Sequence, residues 1–274
     1  MTSARPAQDD QVPHRAVAAT RPAYSDAELL AVMAARRLQD GMAVFAGVGL
    51  PLLAAVLART SHAPGLQIVV EGGVLDPEML PGRLPISTNE MRVAHRASML
   101  MGITDTFLYA QRGYLDLGFI GGAQVDRFGN VNSSIIGPMD RPRVRLPGSG
   151  GGNDIASLCR EVIVVTMHEP RRFVPRVDFV TSPGWLAGAD SRRQAGLHFG
   201  GASGVITNLA LLGFDPTERS MRVEALHPGV TLEQVRAATG FPLGVAPEVV
   251  RTQPPSPAEL GLLRSLDPER RYLR

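Results

Sequence analysis

The sequence predicts an α/β protein built on an open, mainly parallel sheet with helices on both faces. Three observations carry that expectation. Short apolar runs rich in β-branched residues recur at 66–70, 117–120 and 162–165, and such runs suit parallel strands covered on both sides. Helix-start signals alternate with them. Residues 42–70 also read as one complete unit: strand 42–46, the turn Gly47-Val48-Gly49-Leu50-Pro51, helix 52–59 and strand 66–70. That βαβ order generates parallel sheets.

Taken in order, Ser25 and Glu28 form a capping box that opens a helix running to about Gln39, where Gly41 ends it. Pro51 suits the first position of the second helix. The turn carrying Gly47 and Gly49 has two readings: a tight turn, or backbone N–H groups and a helix N-terminus beside an anion. Residues 77–85 are broken by proline. Residues 90–102 read as a Met-rich helix in the core or facing another chain. Asp126, Gly129 and Asn130 mark a hairpin-type turn, with 132–136 as the returning strand. The segment 147–154 is a glycine-rich loop entering a short helix at 155–159 and then the strand at 162–165. Further strands fall at 205–210 and 221–226. Capping boxes at Thr231/Gln234 and Ser256/Glu259 open the last two helices. The 66–70 strand runs straight into Glu71-Gly72-Gly73. Ligands in open α/β sheets bind beyond the carboxyl ends of strands, so Glu71 is either placed for chemistry or simply leaves the strand into solvent.

The chain has 274 residues, 44% hydrophobic and 20% charged, with a net charge of +2. That composition fits a globular protein with a full core. Aromatics are only 5% and the arginines are dispersed, which fits nucleic-acid binding poorly. All 28 basic residues are arginine; without lysine there is no Schiff base, P-loop lysine or Ser–Lys dyad. One cysteine, Cys159, excludes internal disulfides and Cys-based zinc sites. The histidines show no metal-ligand spacing, so no metal is expected. No run of 18 apolar residues predicts a membrane span. Residues 1–24 read as a disordered extension without a secretory signal, residues 25–274 as one domain, and the cytoplasm as the compartment.

Gly148, Gly150, Gly151 and Gly152 lie within five residues. A loop of this kind can aim several N–H donors at one point, for a phosphate or for an oxyanion in acyl transfer.

Together, Gly47-Val48-Gly49-Leu50-Pro51, Ile68–Gly73, the stretch from Phe119 to Asp126, Gly129-Asn130-Val131-Asn132, Gly148-Ser149-Gly150-Gly151 with Asn153, and Asp178–Trp185 resemble the β subunit of the family I CoA-transferases, the glutaconate type above all. The similarity runs in order from about Ser25 to the C-terminus. The resemblance implies that Glu71 of the E-x-G motif is the covalent nucleophile. It implies that the loop at Gly148, Gly150, Gly151 and Gly152 supplies oxyanion or CoA-binding N–H groups, with Asn130 and Asn132 close to the thioester. Gly72, Gly73, Gly47 and Gly49 would support the turns. It implies no permanently bound cofactor; coenzyme A is substrate and covalent intermediate. The partners implied are an α subunit, in an α2β2 or higher heteromer, with acyl-CoA and a carboxylic acid as substrates. Two alternatives share the fold: ring-opening acyl-CoA hydrolases of steroid degradation, and phosphate-ligand-binding modules.

Overall fold

The computed structural model describes residues 23–274. The extension expected at 1–24 therefore lies almost wholly outside the described residues. In chain order the elements are α1 (Asp26–Ala35), β1 (Ala43–Phe45), α2 (Leu50–Ser61), β2 (Gln67–Val70), β3 (Val74–Leu75), β4 (Met99–Leu100), α3 (Ile103–Gln111), β5 (Leu117–Ile120), β6 (Gln124–Val125), β7 (Val131–Asn132), β8 (Ile135–Ile136), β9 (Val144–Arg145), α4 (Gly152–Leu158), β10 (Glu161–Val165), α5 (Ser191–Gln194), β11 (Ala202–Ile206), β12 (Ala210–Phe214), β13 (Met221–Leu226), α6 (Leu232–Ala237), β14 (Gly244–Arg251) and α7 (Pro257–Leu266).

Ten strands form one sheet in the order β14-β13-β12-β11-β10-β5-β1-β2-β3-β4. Its centre, β11-β10-β5-β1-β2, is parallel; antiparallel pairs extend it on both sides, and β14 joins the outer edge of β13 in parallel. Alternation along each central strand divides the core. Val44, Ala46, Ile68 and Val70 pack with α1, α2 and α7. Phe45, Val69, Val162 and Val164 face the other way, toward α3, α4 and α6. This matches the period of two expected of strands covered on both faces. Burying the valine, isoleucine and phenylalanine side chains among these stabilises the fold by about 1.5–3 kcal/mol each before entropy is counted.

All three capping boxes form, at Ser25/Glu28, Thr231/Gln234 and Ser256/Glu259. Glu28 does a second job: although only 1% exposed, it receives Arg264 and Arg270 at 2.7 and 3.5 Å. The Arg264 guanidinium holds its carboxyl below the usual range.

Several expectations are corrected. The segment 90–102 is not a helix: a 3-10 turn covers Met91–Ala94, Arg96 adopts φ 48°, and Met99–Leu100 pairs with β3. Its methionines are not core, since Met91 is 86% and Met99 47% exposed, and only Val93 of the segment is buried in the core. An edge-strand ladder satisfies backbone groups that a helix would otherwise pair internally. The strand expected at 205–210 breaks because Thr207 Oγ1 bonds both N–H and C=O of Ala210, closing a turn between β11 and β12. The strand expected at 132–136 divides: Val131–Asn132 pairs with β6, and Ile135–Ile136 with β9. The first helix stops at Ala35, four residues early. Helix α3 and edge strand β14 had no counterpart among the elements expected from the sequence. No helix among the described residues is long and apolar enough to cross a membrane.

Candidate active site

Glu71 opens a three-residue turn between β2 and β3, where Val70 pairs with Val74. Gly73 closes that turn at φ 92°, with its N–H on Val70 O at 3.0 Å. A three-residue hairpin ending in a left-handed glycine is a favoured short loop. The position also admits no side chain, because a Cβ at Gly73 would collide with the carbonyl of Met101. Gly72 is similarly enclosed: a Cβ there would lie 2.7 Å from Thr88 O and 3.0 Å from Asn89 Oδ1. Both turn glycines thus hold Glu71 at the strand end.

Strand alternation carries Glu71 onto the Val69 side of the sheet, facing α3 and α4. The glycine loop meets it there. A side chain added at Gly151 would begin 2.8 Å from Cδ and 2.9 Å from Oε1 of Glu71, and 2.9 Å from Cζ of Phe107. Gly151 is buried while Glu71 is half-buried. Residues 71 and 151, eighty positions apart, are therefore in contact because neither glycine nor strand end leaves anything between them. The Glu71 carboxylate accepts no hydrogen bond from the described residues. Phe107, on α3, stacks on Phe45 at 5.8 Å between ring centroids, and so forms an apolar wall beside the carboxylate. Sequence reasoning missed Phe107; the available signal was Gly102 followed three residues on by Asp105, whose carboxylate caps α3.

The four glycines of the loop do not share one role. The N–H of Gly148 bonds Ser133 O at 2.9 Å and that of Gly152 bonds Ser149 O at 2.8 Å. Neither is free to serve a ligand, which corrects the expectation for these two. The N–H groups of Ser149, Gly150 and Gly151 meet no acceptor among the described residues. Gly150 has φ 49° and Gly151 φ −79°, and such a left-then-right alternation turns successive N–H groups toward one side.

Asn130 and Asn132 are corrected as well. Asn130 is 2% exposed; its Nδ2 donates to Asp126 and to Leu186 O, and its Oδ1 accepts from the N–H groups of Gly184 and Leu186. Asn132 is fully buried; its Nδ2 donates to Gln124 Oε1 and Ile135 O, and its Oδ1 accepts from Ser134 and Ile135. A primary amide offers two N–H donors and one two-lone-pair acceptor, so neither side chain has capacity left for a thioester oxygen. Both serve the turn. Burial pushes the Asp126 carboxyl up, against the hydrogen bonds from Asn130 and Phe128.

What these residues do is hold the loop. Ser133, one position past Asn132, receives Gly148 N–H on its carbonyl and donates Oγ to Gly148 O at 2.8 Å. Asn153 Nδ2 donates to Thr181 O at 2.9 Å, and Thr181 Oγ1 receives Ser133 N–H. Arg192, 2% exposed and facing no carboxylate among the described residues, donates to the carbonyls of Ala156, Pro183, Gly184 and Phe199. Its burial lowers the guanidinium to about 10. The start of α4 and its middle are thereby tied to the same 181–184 stretch.

Gly47 and Gly49 lie elsewhere. Their carbonyls accept Leu52 and Leu53 N–H, and Gly49, at φ 111°, caps α2. Among the described residues no group of three or more His, Cys, Asp or Glu side chains could hold a metal ion. Cys159 is buried at the end of α4, and burial pushes its thiol up to about 12.

Comparison with known proteins bears on this arrangement. The Coenzyme A transferase family profile matches residues 27–238. The chain is 40% identical over 246 residues to the B subunit of 3-oxoadipate CoA-transferase of Pseudomonas knackmussii, covering 89% of this chain and 94% of that one. It is 36% identical over 258 residues to the B subunit of glutaconate CoA-transferase of Acidaminococcus fermentans, covering 92% and 96%. The crystal structure of that glutaconate coenzyme A-transferase superposes with a TM-score of 0.85 over 92% of this chain and 98% of the other. A more distant relative, the cholesterol ring-cleaving hydrolase IpdB subunit of Rhodococcus jostii, is 30% identical over 82% of this chain and 88% of its own.

Proposed function

The chain belongs to the coenzyme A transferase family, on the B side of its two-chain enzymes, and on that premise we propose that it moves CoA between carboxylic acids through a thioester on Glu71. The observation that carries this reading is the contact between an uncommitted carboxylate and a glycine whose N–H is also uncommitted. The acyl groups suggested are those of short dicarboxylic acids, since the 3-oxoadipate and glutaconate enzymes are the relatives named. An α-type chain completes the enzyme, because both relatives are the B subunits of their transferases.

The chemistry needs one carboxylate and fixed donors. A Glu71 oxygen attacks the acyl-CoA carbonyl, and collapse of the tetrahedral adduct expels CoA thiolate and leaves an acyl–glutamyl anhydride. The thiolate attacks the glutamyl carbonyl, expelling the acid and forming the Glu71–CoA thioester. The second acid attacks that thioester carbonyl, expels the thiolate again, and forms a new anhydride. Thiolate attack on its acyl carbonyl releases the product and the free Glu71 carboxylate. No net proton or electron is gained or lost. Each adduct places negative charge on an oxygen, and the Gly150 and Gly151 N–H groups are the donors proposed to receive it. One such donor contributes about 3 kcal/mol to the transition state. The Phe107 ring keeps one side of Glu71 dry, which strengthens both the nucleophile and those hydrogen bonds.

The test uses the complex with its α chain. Incubation with acyl-CoA followed by borohydride or hydroxylamine should modify Glu71, and Glu71→Gln should abolish both modification and transfer. Full turnover by Glu71→Ala would sink the proposal. Steady acyl-CoA hydrolysis without an acceptor acid would instead favour the ring-cleaving hydrolases as the functional model.

A further inference from the structure

The turn at Gly47–Pro51 is not used by this chemistry. Its Leu50 lines a cavity of about 630 Å³ on the other face of the sheet from Glu71. The walls include Ser25 at the start of α1, Leu50 at the start of α2, Gly122 beyond β5, Thr166 beyond β10, and the arginines 172 and 274. Leu30 of α1 and Val165, also in the wall, belong to the α1–α2–α7 side of the core. The cavity sits in the crevice beyond the carboxyl ends of parallel strands, where α/β sheets take ligands. Its volume lies within the roughly 300–1,000 Å³ typical of small-molecule sites.

Three of its uncommitted polar groups are donors. Thr166 is 7% exposed, lines the cavity, and its hydroxyl meets no partner among the described residues. Arg172 is anchored at one end, with Nη1 on Gly122 O at 3.0 Å and Nε 3.4 Å from Glu169. Its Nη2 meets no acceptor among the described residues. Helix α2, twelve residues long, has no side-chain cap, and the Leu50 N–H is likewise unpartnered. The acidic side chain in the wall, Asp26, accepts Asn208 Nδ2 at 3.3 Å on one oxygen and faces two arginines, Arg172 and Arg274, in the same lining. A hydroxyl, a guanidinium edge and a helix N-terminus converging on one space match a ligand that is all acceptor and negatively charged.

We propose that this cavity is a second binding site, for a small molecule bearing phosphate. Two sources share that chemistry: the phosphates of coenzyme A itself, or a separate phosphorylated metabolite acting as a regulator. The site's wall reaches the catalytic loop through Gly122, where an added Cβ would meet Asn132 O at 3.0 Å, next to the Ser133 clamp on Gly148.

Calorimetric titration of the αβ complex with inorganic pyrophosphate tests this. The wild type should bind saturably, one per chain of this type, and more weakly as salt rises. Arg172→Gln should weaken binding by about tenfold, and Thr166→Val by several-fold, on the scale of charge-assisted hydrogen bonds. Thr166→Val keeps the shape of the side chain, so it remains informative if Arg172→Gln folds poorly. A Glu71→Gln complex should bind as the wild type does, which separates this site from the catalytic reading. Competition between pyrophosphate and acyl-CoA in steady state assigns the site to the phosphates of CoA; a change in rate without competition assigns it to a separate metabolite. Absence of saturable binding, or binding that neither substitution weakens, overturns the proposal.

Discussion

Two turns rich in glycine and amide groups flank the 181–184 stretch, and they treat their polar groups in opposite ways. In the turn from Asp126 to Asn132, both side-chain amides and the Asp126 carboxylate are buried and hydrogen-bonded throughout. In the loop from Gly148 to Gly152, the N–H groups of three consecutive residues meet no acceptor among the described residues, and Gly151 rests on Glu71. The first turn is saturated and rigid. The second is held rigid from outside, by Ser133, Asn153 and Arg192, while its own donors stay unspent. Preorganised donors are effective in catalysis because nothing must reorganise when charge develops, and a saturated neighbour is one way to keep an unsaturated loop in place.

The largest expected effect tests that division directly. Gly151→Ala should lower kcat by about 100-fold or more, because the added methyl contacts both Glu71 and Phe107, while the melting temperature and circular dichroism of the complex stay near wild type. Asn130→Ala should do the reverse. It removes the side-chain donor to buried Asp126, which keeps its backbone donors from Phe128 and residue 130, and it leaves the N–H groups of Gly184 and Leu186 without their acceptor, which costs about 3 kcal/mol and lowers the melting temperature by roughly 10 °C. The folded fraction at low temperature should still turn over. If Asn130→Ala instead stays folded and inactive, the amide has a direct role and the comparison fails.

The scaffold also predicts a pH dependence. His168 lies between Thr207 and Thr239, stacked on Phe173, and burial pushes its imidazole from 6.5 down to about 4. A depressed imidazole keeps its full contribution above the unfolded value and loses it as pH falls through the folded one. Unfolding free energy should therefore drop between about pH 6.5 and 4, by up to about 3 kcal/mol from this residue. His227, also lowered by burial, adds in the same direction. Denaturant titrations across that range should show the slope, and His168→Gln should flatten it. The smallest effect belongs to Ser133→Ala. Losing the 2.8 Å bond to Gly148 O costs about 1 kcal/mol, read as a few-fold fall in kcat with little change in KM.

How much of this was legible depended on whether neighbours in sequence or in space make the decision. The three capping boxes, the 117–120 strand and the βαβ unit formed as the residues indicate, because caps and alternating apolar runs are settled within a few positions. The segment 90–102 went astray because a stretch rich in Met, Ala and Leu with no proline or glycine before Gly102 reads as a helix in isolation, yet β3 offers an edge to pair with. Helix α3 was overlooked, and with it Phe107, since a glycine N-cap and a weakly apolar face give little local signal. At the site, Glu71 and the glycine loop were both visible as motifs. The assignment of Gly148, Gly152, Asn130 and Asn132 to the reacting group was not sustained, because a motif names residues without saying whose hydrogen bonds they make.

By itself, then, the amino-acid order determined the fold class, a carboxylate at a strand end and a loop too rich in glycine for an ordinary turn. Local propensity and patterning are enough for that. Only the tertiary structure decided that Gly151 lies against Glu71, that Gly150 and Gly151 keep their N–H groups free, and that both asparagines are consumed internally. Hydrogen-bond satisfaction belongs to pairs of groups brought together from distant parts of the chain, and burial decides how strictly each must be met.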